Sequence, residues 1–142
     1  MNASFEEKSV WIQLLGLGAA FGIYFVLAAL MLSQGILVLA AYVPLFIVTT
    51  IVLIAFFAIG HFVAFILGGK HEDADERDRV IEWRSESNSS WVLGAGAFTA
   101  MSALVVGIGD VWVAHLLMHS MFLSQVVKLA FQAFYYRRGM GS

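Results

Sequence analysis

The chain has 142 residues, 61% of them apolar and 13% charged, with a formal net charge of −2 and a mean hydropathy of +0.85, whereas a soluble domain is about 45–50% apolar and about 25% charged. That balance excludes a soluble globular fold, and the small, scattered charge excludes direct nucleic-acid binding. The absence of cysteine excludes a disulfide framework, a thiolate nucleophile, an Fe–S cluster and a cysteine zinc site.

No Asp, Glu, Lys or Arg lies between Lys8 and Lys70, and only Asp110 lies between Glu86 and Lys128. A membrane span needs about 20 apolar residues. The sequence therefore predicts an all-α membrane protein: one domain over 1–142, built as an antiparallel bundle of four transmembrane helices. The first apolar stretch, Val10 to Leu32, is longer than a signal-peptide core of about 7–15 residues and follows acidic residues, so it reads as a retained span over 11–32.

Ser33-Gln34-Gly35 interrupts the apolar run, and Pro44 suits the first turn of a second span over 44–67, where its missing N–H has no helical partner to lose. Gly68-Gly69-Lys70 ends that span, and the polar loop 70–89 follows. Asp73 and Glu76 have capping-box spacing, and Asp75 and Arg79 are four apart. A short cytoplasmic helix is expected there, with a break near Ser85 to Ser90. Spans three (90–108) and four (111–136) meet at the short turn Gly107-Ile108-Gly109-Asp110 and must be antiparallel neighbours.

Lys8, then Lys70, Arg77, Arg79 and Arg84, then Arg137 and Arg138 fall on one side of this topology, and the other two connections carry no Lys or Arg. Both termini and the central loop are thus expected on the cytoplasmic side of the membrane. Trp11, Trp91, Tyr135 and Tyr136 would mark the inner interface, and Tyr42 and Trp112 the outer one.

Chemistry-bearing residues are few. Gly18 and Gly22 form a small-xxx-small pair, read as a helix-packing site within the bundle or between protomers of a homodimer. The run Gly16 to Gly22 fails the G-x-G-x-x-G fingerprint and has no strand before it, so it is not a phosphate loop. His115 and His119 are four apart and share a helical face. With Asp110 they are the candidate metal ligands, although hydrogen-bonded neutral histidines are the simpler expectation and Asp110 reads first as a helix N-cap. A bis-histidine haem would need His61, which lies about 10 Å from the depth of His119 by helix rise in a core of about 30 Å.

Asp110, Gln125, Lys128 and Gln132 form a polar stripe within about 60° on the fourth helix, expected to face protein. Lys128 reads as a snorkelling lysine, with pairing to Glu82, Glu86 or Glu7 as the alternative. The acids Glu72, Asp73, Asp75, Glu76, Asp78, Glu82 and Glu86 alternate with arginines, as a solvated helix does and a calcium loop does not. No catalytic triad order, HExxH or intramembrane carboxylate pair is present, so no enzyme and no cofactor is expected.

The segment Asp75-Glu76-Arg77-Asp78-Arg79-Val80-Ile81-Glu82, followed by an apolar span, resembles the D-E-R-D-x-x-I signature of small bacterial and archaeal membrane proteins of unknown function. The resemblance covers mainly Asp75 to Arg138. It implies a cytoplasmic regulator of the helix-turn-helix kind as partner, because such proteins are often encoded beside one another, and it supplies no catalytic residue. The leading expectation is a non-enzymatic membrane protein, a homodimer, that contacts a cytoplasmic regulatory protein through Asp75, Glu76, Arg77, Asp78 and Arg79. The alternatives are a divalent-metal or haem module using His115 and His119, and a small dimeric transporter.

Overall fold

The computed structural model describes residues 5–68 and 76–138. They form α1 (Phe5–Ser33), a 3-10 turn (Leu39–Tyr42), α2 (Val43–Gly68), α3 (Glu76–Val105) and α4 (Asp110–Arg138), with no strand among the described residues. Lys8–Ser33, Leu39–Gly60 and Asp110–Arg138 are long and apolar enough to cross a membrane. α3 has the length, at 30 residues, but its first half is charged and serine-rich.

Two helix ends have the same device. After α1, Gly35 takes φ +76° while its N–H donates to Leu32 O and that of Ile36 to Met31 O, at 3.0 and 3.1 Å. After α3, Gly107 takes φ +80°, with Gly107 N–H donating to Leu104 O and Ile108 N–H to Ala103 O, at 3.1 and 3.0 Å. Both are Schellman caps: a left-handed glycine lets two otherwise orphaned carbonyls be satisfied where no water need reach them.

The helices stand in the row α2, α1, α4, α3, with α3 against α4 the most extensive pairing and α2 and α3 at the edges. The expected all-α architecture is observed, its four helices standing in an open row. α2 is apolar along almost its whole length, so no single stripe directs it to close a ring.

Neighbours run antiparallel. Val10 and Leu17 of α1 pack with Leu129 and Ala133 near the end of α4, whereas Tyr24 and Ala28 pack with Val111 at its start. Both described ends of the chain thus lie at one end of the row. Gly16 admits the Phe56 ring and Gly60 the Ile12 side chain, so α1 and α2 meet where a Cβ would collide. The α3–α4 seam is lined by buried Ser85, Ser89, Ala100 and Ala103 on one helix and Ser120 and Ser124 on the other. A Cβ on Gly96 would overlap the Ser120 side chain.

The break expected near Ser85 to Ser90 does not occur, and the expected cytoplasmic helix and third span are one continuous helix. Ser89 and Ser90 donate back to the carbonyls of Glu86 and Ser87, which satisfies their hydroxyls inside the helix rather than in a turn. The capping box at Asp73 and the end of the loop at Asp75 lie outside the described residues. Tyr42 is buried against the protein, its hydroxyl donating to Ile36 O at 2.7 Å.

Candidate functional site

The two histidines of α4 meet different surroundings. His115 is buried, its ring 4.8 Å from that of Tyr42 in an edge arrangement and 6.0 Å from that of Tyr24. His119 is exposed, with the Phe25 ring 3.8 Å away, centroid to centroid. Each ring turns its Nδ1 to a backbone carbonyl one turn back: His115 to Val111 O at 2.7 Å, His119 to His115 O at 3.3 Å. A carbonyl can only accept, so Nδ1 must carry the proton. In the neutral ring that leaves Nε2 as a bare acceptor. For His115 this Nε2 is buried and has no hydrogen-bond partner among the described residues.

Both histidines line a groove of about 500 Å³. Its floor is α4 (Trp112, Leu116 and the histidines), one wall is α1 (Phe25, Ala28, Ala29, Leu32), and the other is Ala103 with Ile108. It exists because α1 and α3 each pack on α4 without closing on each other. Apart from the two imidazoles and the Trp112 indole, its lining side chains carry no polar atom.

Asp110 does not join the histidines. Its Oδ1 accepts the Val111 N–H at 2.8 Å, as an acid at a helix N-terminus does. No group of three His, Asp or Glu able to hold a metal occurs among the described residues. The side chain of His61, the haem partner considered from sequence, lies outside the described residues.

At the opposite end of the row, a polar cavity of about 140 Å³ is lined by residues that include Gln13 of α1, Asp78, Arg79 and Glu82 of α3, and Gln125, Lys128, Gln132 and Tyr136 of α4. Of the polar stripe expected on α4 to face protein, Gln132 is buried and Lys128 half-buried, whereas Gln125 and Asp110 are exposed. Lys128 lies 3.2 Å from Glu86 and 3.7 Å from Glu82, its side chain only 20% exposed, so pairing, not snorkelling, is its arrangement. Glu7, the third partner considered, lies outside the residues whose side chains are described. Tyr136 donates to Asp78 Oδ1 at 3.0 Å, Asn88 Nδ2 donates to Tyr135 at 3.0 Å, and Ser124 donates to Ser89 O at 3.0 Å. These contacts tie α3 to α4 along its charged half.

The residues expected to meet a partner separate accordingly. Glu76, Arg77 and Arg79 are exposed, whereas Asp78 is half-buried and serves as a strut to Tyr136; Asp75 lies outside the described residues. Trp83 stands 71% exposed. At 100° per residue it falls between Arg79 and Val80 on the helical wheel, on the side opposite α4.

Gly18 and Gly22 have no atom of the chain within 4 Å of a built Cβ. Packing within the bundle is therefore not their role; the close approaches are at Gly16, Gly60 and Gly96 instead. No family model, no curated protein and no solved structure matches the chain.

Proposed function

We propose that the chain is a non-enzymatic four-span protein of the prokaryotic cytoplasmic membrane whose charged half of α3 is a docking surface for a cytoplasmic regulatory protein. The observation that carries this reading is an exposed Trp83 on a helix face that also presents exposed Arg79 and Glu76. Tryptophan and arginine are the side chains on which binding energy concentrates at protein interfaces. A docking helix also gains from rigidity, because ordering a loose segment on binding costs affinity. The ties from Asp78, Glu82, Glu86 and Ser89 to α4 supply that rigidity. The resemblance to D-E-R-D-x-x-I membrane proteins supports a helix-turn-helix regulator as the partner class.

α3 is taken as a span too, the third in chain order, because Trp91, Phe98, Met101 and Val105 leave its outer half apolar and exposed, as lipid contact requires. The charged half then faces the cytoplasm with both termini, in keeping with the Lys and Arg distribution.

Orientation and docking are tested together in cells. Arg77→Cys should react with a membrane-permeant thiol reagent and not with an impermeant external one. A photo-crosslinking residue at position 84 should give one discrete heteromeric product that is lost on Trp83→Ala, while the variant melts like the parent. Undiminished product with Trp83→Ala, or external labelling at position 77, overturns the reading.

A metal or haem module is the second reading, favoured by one feature: both histidines are set to present Nε2, as metal-ligating histidines held by a backbone carbonyl are. Two such ligands fall short of a closed site.

A further inference from the structure

We propose that the outer groove binds a lipophilic aromatic alcohol, a hydroxyl-bearing ring on an apolar tail, with His115 accepting the hydroxyl hydrogen bond. The inference starts from an unmet acceptor. His115 is 8% exposed, its Nδ1 proton is committed to Val111 O, and its Nε2 is buried without a donor among the described residues. A buried acceptor left unsatisfied costs free energy that water cannot relieve in a membrane. Lipid tails filling the groove leave that cost in place because a hydrocarbon has no proton to donate. A ketone or ether fails for the same reason. An O–H removes it.

The remaining lining fixes the rest of the occupant. Ala28, Ala29 and Ala103 keep the walls low, and Phe25 and Trp112 offer ring faces and edges against which an aromatic ring packs better than a flexible chain. The volume of about 500 Å³ falls within the ordinary range of small-molecule sites, about 300–1,000 Å³. The scarcity of polar groups admits one hydroxyl and an apolar body, and it excludes a sugar, a nucleotide or a phosphate headgroup. His119, at the open side and stacked on Phe25, borders the entrance. Because His115 Nε2 is closed off from water in the empty groove, the lining side chains must part as the hydroxyl arrives.

This proposal is independent of the docking surface on α3, which lies at the opposite end of the row. The probe pair is 4-decylphenol and its methyl ether, which share ring and tail, the ether carrying a methyl group in place of the hydroxyl proton. Binding to the full chain in detergent is read from the fluorescence of Trp112, with the other tryptophans replaced by phenylalanine. The phenol should bind about tenfold or more tightly than the ether, the difference expected for one hydrogen bond to a buried acceptor. His115→Phe should abolish the preference while leaving ether binding in place. Ala29→Phe, which fills the groove and leaves His115 untouched, should weaken both ligands, so the test does not hang on one variant's folding. Equal binding of phenol and ether would identify a lipid-tail slot and overturn the proposal. So would a phenol preference that survives in His115→Phe, or a metal or haem purifying with the chain on His115.

Discussion

Within one apolar chain, the positions that matter most are set by what an added or removed atom would meet. Gly96 and Lys128 both lie on the α3–α4 seam, yet their replacement should differ in cost. A larger side chain at Gly96 meets the Ser120 side chain and comes close to its Cα, so relief requires the two helices to separate. Overpacking of this kind costs about 1–3 kcal/mol. Lys128→Met keeps the volume of the stem and breaks two ion pairs whose carboxylates are 63% and 66% exposed, so they rehydrate and the loss is about 1 kcal/mol or less. Gly96→Val should therefore lower the detergent melting temperature clearly more than Lys128→Met. The reverse order would mean that charge, not close approach, holds the seam. Sequence alone made Gly18 and Gly22 the packing glycines and missed Gly16, Gly60 and Gly96. α1 is apolar on all sides, so its composition marks small residues without revealing which of them another helix approaches. Ser85, Ser89, Gly96 and Ala100 did carry a signal, since their spacing repeats every four or so residues on one face.

At the scale of elements, most helix limits were legible because chemistry punctuates them, but α3 was not, its charged half having been read as a separate helix. Charge-free runs end at glycines, Pro44 sits in the first turn of α2, and the turn from α3 to α4 is too short for anything but reversal. The misreading at Ser85 to Ser90 has an identifiable cause: serine and asparagine favour turns in isolation, but here Ser85 and Ser89 are buried against α4 and the seam overrides local preference. The candidate groove was half legible. The i, i+4 spacing put His115 and His119 on one face of α4, but the walls come from α1 and α3, and no local pattern states which helices flank α4. The caps test the same distinction between local and tertiary control. Gly107 and Gly109 look alike in sequence, yet only Gly107 has positive φ, and Gly109 meets nothing nearer than the Trp112 ring at 4.0 Å. Gly107→Ala and Gly35→Ala should each cost about 1–2 kcal/mol, the penalty of an L-residue in the left-handed region, while Gly109→Ala should be near neutral by the same melting measurement. Equal effects at 107 and 109 would show that flexibility of the turn, not its handedness, is what the glycines provide.

For the whole molecule, an open row has a consequence that a closed bundle would not. In a ring of four helices each helix turns one face inward; in a row, α1 has neighbours on two sides and keeps a long outer face. Leu15, Gly18, Ala19, Gly22 and Val26 are all exposed on it, and they recur at helical spacing along one stripe. Lipid is a sufficient covering for Leu and Val, but glycines gain nothing from lipid and lose helix propensity of about 1 kcal/mol each relative to alanine. What they permit is close backbone approach of a second helix. We propose that the helix they admit is that of a second copy, since no other helix among the described residues lies within 4 Å of a Cβ built at either position. The variant Gly18→Leu with Gly22→Leu then separates two effects that coincide in a closed bundle. Melting of the single chain should be unchanged or slightly raised, because leucine is the better helix former and nothing obstructs it. The molar mass of the detergent-solubilised protein, measured by light scattering with the detergent contribution subtracted, should fall from two chains to one. A double variant that unfolds at lower temperature without changing mass would place the two glycines inside the chain's own packing after all, and a wild-type protein already monomeric at membrane-like protein-to-detergent ratios would remove the dimer from the proposal.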